Sequence, residues 1–99
     1  MRYQLTETAD GELEAILVNI AERDGLERAL HVNKKFHEAF GKLAQTPGMG
    51  RARPQLTGAH ARWWPVFKFL VVYEADDAGV IILRVVHGSR DLDQLFDQE

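Results

Sequence analysis

The side chains of this 99-residue sequence that could do chemistry argue against several kinds of site. No cysteine is present, which excludes disulfides and thiolate metal ligands. His31 and His37 are six positions apart, so they point to different sides of a helix, and Gly41 stands where a zinc-protease motif starting at His37-Glu38 has its second histidine. Ser89, the single serine, lies outside any nucleophile elbow. We therefore expect no metal, no cofactor and no covalent catalysis.

The composition does not exclude a function on phosphate or RNA, because several arginines could bind phosphate: Arg51, Arg53, Arg62, Arg84 and Arg90. A metal-free ribonuclease also needs a general base, a general acid and cations placed around the reacting phosphate. His60 and His87 are the candidates for proton transfer, although histidines in such positions are more often ordinary surface or strand-end residues. The alternating Trp63 and Trp64 point to opposite faces of a strand, and such aromatic residues more often fill a core than stack on a base.

The charges are segregated along the chain. The net charge is −3, but residues 31–73 carry +6, whereas residues 1–30 and 74–99 carry −4 and −5. A basic middle region indicates either an anionic partner or a fold in which the acidic ends cover it. The apolar runs are too short to cross a bilayer, which takes about 20 residues. The acidic N-terminus does not resemble a signal peptide. We therefore expect a cytoplasmic protein without a membrane partner.

The first half of the chain predicts a short strand followed by two helices. Residues 2–6 alternate as a strand does. Thr8 is the expected N-cap of the first helix, whose apolar stripe recurs at helical spacing up to Ala21. Gly25 is expected to end that helix, and a second stripe extends from Ala29 to Leu43. Two amphipathic helices joined by a glycine turn predict an antiparallel helical hairpin.

The second half predicts a loop and then a sheet. Residues 47–61 contain the glycines and prolines of an irregular loop. Residues 62–65 read as an edge strand, because proline cannot donate to a ladder, and residues 67–74 and 80–87 as two strong strands. Residues 91–96 predict a short C-terminal helix or tail. The expected fold class is α+β: one domain over the whole chain, in which a three-stranded antiparallel meander packs on the hairpin.

The two strong strands are apolar on both faces. The face that we expect beneath the helices carries Phe67, Phe69, Val71, Tyr73, Ile81, Leu83, Val85 and His87. The opposite face carries Lys68, Leu70, Val72, Ile82, Arg84 and Val86. With a single hairpin available, this second face is expected to remain an uncovered apolar groove lined by charge, which usually marks a partner site. The alternative is that the C-terminal tail covers it.

Three segments, taken with this order of elements, resemble toxins of the ParE/RelE superfamily of type II toxin–antitoxin modules. Residues 47–56 (PGMGRARPQL) are similar to the loop that follows the second helix in the ParE branch. Residues 62–66 (RWWPV) resemble the arginine-led strand after that loop, and residues 84–91 (RVVHGSRD) resemble the closing segment of the family. The resemblance extends from Tyr3 to Phe96 and implies the RelE/ParE-like fold.

The resemblance also implies a function, that of a plasmid-stabilisation toxin which binds and inhibits DNA gyrase without catalysis. A cognate ParD-like antitoxin would neutralise it by occupying the groove of Lys68, Leu70, Val72, Ile82, Arg84 and Val86. The expected target contacts are Arg51, Arg53, Arg62, Arg90, Asp91 and Phe96, with no sequence-specific binding of nucleic acid.

Two alternatives to gyrase inhibition remain open. The first alternative is that the chain is a ribosome-dependent mRNA endonuclease of the RelE branch. Enzymes of that branch have a C-terminal tyrosine, which has no counterpart here, since Phe96 is the only aromatic residue after Asp91. The other alternative is a relic that has lost toxicity and only binds an antitoxin.

Overall fold

The computed structural model describes residues 2–52 and 61–88, and within them a helical hairpin packs on a five-stranded sheet. The elements are β1 (Arg2–Leu5), α1 (Glu7–Asp24), α2 (Leu26–Gln45), a 3₁₀ turn (Pro47–Met49), β2 (Arg51–Ala52), β3 (Arg62–Val66), β4 (Phe69–Asp76) and β5 (Gly79–His87). This order confirms the predicted α+β class. The helix or tail predicted over residues 91–96 lies outside the described residues.

The start of α1 differs from the prediction. Thr6 is the N-cap, since its Oγ1 accepts a hydrogen bond from the backbone N–H of Ala9 at 3.1 Å, and Thr8 lies inside the helix. Local spacing could not decide between the two threonines, because the deciding contact is distant: the Thr6 hydroxyl also donates to the carbonyl of Leu83 at 3.0 Å. Gly25 ends α1 as predicted, with a φ of 99° that favours glycine, and α2 begins at the next residue.

The strands are arranged in the order β1-β5-β4-β3-β2. The antiparallel meander of β3, β4 and β5 is confirmed, and β1 pairs parallel with β5. The loop predicted over residues 47–61 contains the two-residue strand β2, which pairs with Arg62 and Trp63. Strand β2 pairs with only the first two residues of β3. The prediction of an edge strand therefore holds for the second half of β3, which contains the exposed Pro65.

The parallel pair β1–β5 depends on a glycine. Gly79 pairs with Arg2 and has a φ of 147°, a conformation that residues with a side chain rarely adopt. A Cβ added at this position would overlap the backbone carbonyl oxygen of Arg2. Gly79 therefore allows the first strand to lie against the last strand of the sheet.

Phe67 is not on the buried face, where the sequence placed it. Val66 pairs with Phe69, so Phe67 and Lys68 form the two-residue turn between β3 and β4. Phe67 has a positive φ of 54° and is half-exposed. The prediction was wrong because Val66 belongs to β3, which moves the turn to Phe67-Lys68, a pair without the glycine or asparagine that usually marks a two-residue hairpin turn.

A β-bulge in β5 reverses the predicted faces of its first half. Val72 pairs with Arg84, but Tyr73 pairs with Ile82, so Leu83 is the extra residue on β5. After the bulge, Val85 is buried in the core as predicted. Before it, Ile82 is fully buried in the same core, so the prediction that Ile82 lines the opposite face is wrong.

The core between the hairpin and the sheet is aromatic. The ring centroid of Phe36 lies 6.1 Å from that of Phe40 and 5.7 Å from that of Phe69. Phe36, Phe40 and Val71 are fully shielded from solvent, and Phe69 nearly so. Phe69 and Val71 therefore lie beneath the helices as predicted, and they pack against the predicted apolar stripe of α2, to which Phe36 and Phe40 belong.

The opposite face of the sheet is not an open groove. Leu70, Val72 and Val86 have exposed fractions of only 5%, 5% and 4%, although none belongs to the core cluster beneath the helices. The prediction of an uncovered apolar face is therefore wrong at these three positions. Such a face is costly to leave in water, which is a physical reason for its burial within a single chain. The C-terminal tail, considered above as a cover, lies outside the described residues.

Candidate partner-binding groove

Arg84, predicted to line a groove beside Lys68, is held by a carboxylate on α1. The Nε of Arg84 donates to both carboxylate oxygens of Glu12, at 3.1 and 2.9 Å, and Nη2 donates to Oε2 at 2.6 Å. The backbone N–H of Val85 also donates to Glu12 Oε1, at 2.9 Å. Strand β1 covers the edge of β5 only from Gly79 to Ile82. Glu12 binds the next part of that edge, at the N–H of Val85. Glu12 therefore fixes α1 to the sheet.

A groove lies beside this ion pair, between α1 and the strands β4 and β5. It has a volume of about 320 Å³ and an apolar floor of Ile16, Ile20, Phe69 and Val85. A second cavity of about 340 Å³ shares Ile20 and Phe69 with it and extends to α2. The two cavities also share Arg23 and Lys68, and we call them together the helix–sheet groove. It lies on the helical side of the sheet, whereas the sequence predicted a groove on the other side.

The rim of the helix–sheet groove is mainly basic. Arg23 and Lys68 line both of its cavities, and Arg28 lines the second. Asp24 lies 3.5 Å from Arg23, an exposed pair that neutralises part of this charge. Lys68 therefore borders this groove from the β3–β4 turn, on the opposite side of the sheet from the groove that the sequence predicted. Apolar side chains beneath a basic rim suit an amphipathic segment that carries acidic residues.

The predicted target-contact residues within the described chain lie at the other end of β3. The Nη1 of Arg62 donates to the carbonyl of Gly50 at 2.9 Å, so this arginine holds the turn that precedes β2. Arg51 is exposed, and its guanidinium carbon lies 5.4 Å from the ring centroid of Trp63, within cation–π range. Arg53, Arg90, Asp91 and Phe96 lie outside the described residues.

Tyr73 fixes the same turn from inside the core. Its hydroxyl accepts a hydrogen bond from the N–H of Gly50 at 2.9 Å and donates to the carbonyl of Pro47 at 2.6 Å. Burial raises the pKa of Tyr73 above its ordinary value of 10.0, although the Gly50 N–H and the charge of Arg62 oppose that rise. The hydroxyl therefore stays protonated at neutral pH. The sequence identified Tyr73 only as an apolar core residue, and nothing in its spacing indicated the polar role.

Two histidines in the described chain pack against aromatic side chains, whereas His31 is exposed on α2. The Nδ1 of His37 lies 2.8 Å from the hydroxyl of Tyr3, and its ring packs against Phe40. The ring of His87 packs edge-on against Phe69, with centroids 5.5 Å apart, and lines the helix–sheet groove. His60 lies outside the described residues. Among these histidines, His87 is the one that a bound partner in the groove would meet.

Glu12 is the residue of the site that sequence reasoning missed. Its place in the early turns of α1, where the helix dipole favours acidic residues, gave no reason to assign it a tertiary contact. One signal was present: Glu12 lies four positions before Ile16, a residue of the apolar stripe, so it borders the side of α1 that faces the protein. Its partner, Arg84, is 72 positions away and could not be identified from local spacing.

Comparisons with known proteins agree with this architecture. Residues 3–92 match the family model described as ParE toxin of type II toxin-antitoxin system, parDE. Toxin ParE3 of Caulobacter vibrioides is 26% identical over 87 residues, which cover 88% of this chain and 86% of that protein. A chain in the solved structure of the chromosomal ParDE TA system from P. aeruginosa has the same fold, with a TM-score of 0.74 and 24% identity over 88% of this chain and 95% of the other. Neither helix of the described chain is long and apolar enough to cross a membrane. The chain belongs to the ParE toxin family of type II toxin–antitoxin systems.

Proposed function

We propose that this ParE toxin acts by binding and inhibiting DNA gyrase, and that a ParD-like antitoxin neutralises it by occupying the helix–sheet groove. Membership of the ParE family supports a partner of the ParD class. The observation that carries the proposed docking place is the groove, with its apolar floor of Ile16, Ile20 and Phe69 beneath a basic rim.

The chemistry of the groove defines the segment that it would take. An antitoxin segment that places apolar side chains on Ile20 and Phe69 and acidic side chains beside Arg23 and Lys68 would satisfy both parts of the groove. Such a segment can be disordered when free and become ordered on binding, at a cost in conformational entropy that the apolar contacts offset. Glu12 would not repel it strongly, because Arg84 already neutralises that carboxylate.

The target surface is proposed at the opposite end of β3. Arg51 is exposed there, and the turn behind it is fixed by Arg62 and Tyr73, so the arginine is presented from a rigid base. Gyrase as the target rests on the resemblance to the ParE branch. A toxin that binds its target without proton transfer would tolerate loss of its histidines, whereas an endonuclease would not.

One experiment separates gyrase inhibition from the two alternatives. Purified toxin is added to a gyrase supercoiling assay and, in parallel, to a translation reaction monitored for mRNA cleavage. We expect supercoiling to stop, the message to stay intact, and His87→Gln to retain inhibition. Cleavage of mRNA that His87→Gln abolishes would assign the chain to the endonuclease branch. A chain that binds antitoxin but affects neither reaction would be a relic.

The docking place is tested by reversing one rim charge. Lys68→Glu should weaken antitoxin binding by about tenfold, a loss of about 1.4 kcal/mol. Lys42→Glu is the matched control, because Lys42 is also an exposed lysine but lies on α2 outside the helix–sheet groove. Isothermal titration of both folded variants gives the comparison. Equal affinities for the two variants would remove the groove from the proposal.

A further inference from the structure

The turn between β3 and β4 carries an exposed aromatic residue in a strained backbone conformation. Phe67 is 52% exposed and does not belong to the core cluster, unlike Phe36 and Phe69. Its φ of 54° makes it the one non-glycine residue of the described chain with a positive φ. Bulky residues rarely adopt this conformation, because it brings the Cβ too close to the backbone. The fold therefore presents a large apolar ring to water from a strained position.

The type of this turn makes phenylalanine an unexpected residue at position 67. Phe67 and Lys68 are the two central residues of the turn, and only the first of them has a positive φ. Two-residue turns of this kind usually have glycine at the first central position, because glycine adopts such a φ without strain. Glycine would also expose no ring to water. Folding alone does not account for this phenylalanine, and strained residues concentrate at sites that bind ligands or partners.

The ring of Phe67 stands at the end of the helix–sheet groove. It lines the second cavity of that groove, which Ile20 and Phe69 also line. On its other side it lines a separate cavity of about 360 Å³ between α2 and β3. Because there is a cavity on either side of the ring, α2 leaves it uncovered. A partner segment lying in the helix–sheet groove would therefore reach the ring.

The charges beside Phe67 are mainly positive. Arg23, Arg28 and Lys68 line the same cavity, and Asp24 is the one carboxylate among the described residues that line it. Asp24 lies 3.5 Å from Arg23, so it offsets one of the three cations. An aromatic ring beside cations suits a segment that places an apolar side chain on the ring and acidic side chains next to it. This is the chemistry of the antitoxin segment proposed above.

We propose that Phe67 is the aromatic anchor of the antitoxin interface, the toxin residue that contributes most to its affinity. This inference rests on the proposed function, because it assigns the ring to the segment that occupies the helix–sheet groove. Aromatic residues dominate many interfaces, since a large ring is desolvated with little loss of conformational freedom. The tight turn already holds Phe67 in place in the free toxin, so little ordering is needed when the partner binds. The strain at this residue is retained for recognition.

A glycine at position 67 separates binding from folding. Phe67→Gly should weaken antitoxin binding about 30-fold or more in isothermal titration, because the ring is lost. The urea midpoint of the free toxin should stay the same or rise, because glycine relieves the strained φ. Phe67→Tyr keeps the ring and should keep the affinity. Leu30→Ala is the matched control, since Leu30 is 58% exposed but lines neither cavity of the groove, and it should bind normally.

The same titrations distinguish the anchor from the docking place. If Lys68→Glu weakens antitoxin binding but Phe67→Gly does not, the groove stands and the anchor is overturned. If neither weakens it, the docking place fails as well. Normal antitoxin binding by Phe67→Gly with loss of gyrase inhibition would assign the ring to the target and overturn the proposal. A large fall in the urea midpoint would also overturn it, by giving the ring a structural role.

Discussion

The two helices of the hairpin are attached to the sheet in different ways. Helix α2 buries seven residues, among them Phe36 and Phe40, which form the aromatic core with β4. Helix α1 buries only Ala9, Leu13 and Ile20, and its N-terminal half is fixed by polar contacts from Thr6 and Glu12. Apolar packing along its whole length makes α2 the structural helix of the domain. Polar attachment near one end leaves the sides of α1 available for recognition.

The helix–sheet groove draws more of its lining from α1 than from α2. One side of α1 contributes Ile16 and Arg23 to this groove, and another leaves Val18 half-exposed. Helix α2, by contrast, contributes to the core with most of its apolar residues. A helix with fewer buried positions can carry more residues selected for partners, because fewer of them are required for folding.

The largest expected effect is the loss of an aromatic residue from α2. Phe36→Ala should lower the free energy of unfolding by about 3–5 kcal/mol, because it removes a fully buried ring and leaves a cavity. Leu17→Ala on α1 is the comparison and should cost clearly less, since Leu17 is only half-buried. Urea denaturation measures both. Similar losses for the two variants would mean that the helices share the stability equally.

The next largest effect is expected where α2 ends. Tyr73→Phe keeps the ring but leaves the N–H of Gly50 and the carbonyl of Pro47 without their hydroxyl partner. We expect a loss of about 1–3 kcal/mol in unfolding free energy. Gly50→Ala should also destabilise the fold, because a Cβ there would overlap the Tyr73 hydroxyl. A tyrosine variant as stable as the parent protein would show that the bridge contributes nothing.

The same hydroxyl gives the fold an alkaline limit. Because the pKa of Tyr73 is raised above 10.0 in the folded state, the folded chain holds this proton more tightly than the unfolded chain does. The contribution of this proton to the free energy of unfolding is therefore fully present below pH 10 and is lost as the pH rises from about 10 through the folded pKa. Tyr73→Phe should flatten this decline in urea midpoints between about pH 9 and 11. An equally steep decline in the variant would assign it to other groups.

A smaller effect is expected from the polar attachment of α1. Glu12→Gln should cost about 1–2 kcal/mol, below the range for fully buried pairs, because the side chains of Arg84 and Glu12 are 44% and 24% exposed. Hydrogen exchange should quicken in α1 more than in α2. Glu38→Gln is the control, since its pair with Lys35 is exposed and should contribute about 0.5 kcal/mol or less. Equal exchange in both helices would contradict the difference in attachment.

The smallest effect concerns the first turn of α1. Thr6→Ala should cost about 1 kcal/mol through loss of the N-cap, and somewhat more through loss of the bond to Leu83. Thr8→Ala should change stability by no more than about 0.5 kcal/mol, because Thr8 is exposed within the helix. Thermal unfolding of the two variants side by side gives the comparison. A larger loss for Thr8→Ala would restore the N-cap position that the sequence first indicated.

The features that the sequence predicted well depend on nearby residues. The regular apolar spacing of α2 gave its buried face, and Gly25 gave the end of α1. The turn between β3 and β4 was expected immediately before Phe67 and lies instead at Phe67-Lys68, because Val66 still belongs to β3 and pairs with Phe69. The bulge at Leu83 was missed because it has no sequence marker, and it reversed the face of Ile82.

The candidate site was predicted less well than the fold, because it depends on contacts between distant parts of the chain. Lys68 was identified as a groove residue, but on the wrong side of the sheet. The bonds that Glu12 makes to Arg84 and Val85 join positions 72 and 73 apart in the chain. Spacing within one element carries no information about such pairs.

The parallel pairing of β1 with β5 sets the order in which this toxin can mature during translation. Strand β1 is synthesised first, but Thr6 finds its partner Leu83 only after 77 further positions have been added. The hairpin of α1 and α2 has local contacts and can form early, whereas the sheet waits for its last strand. Non-local pairing of this kind also slows folding. A growing chain therefore stays without its complete sheet until β5 has left the ribosome.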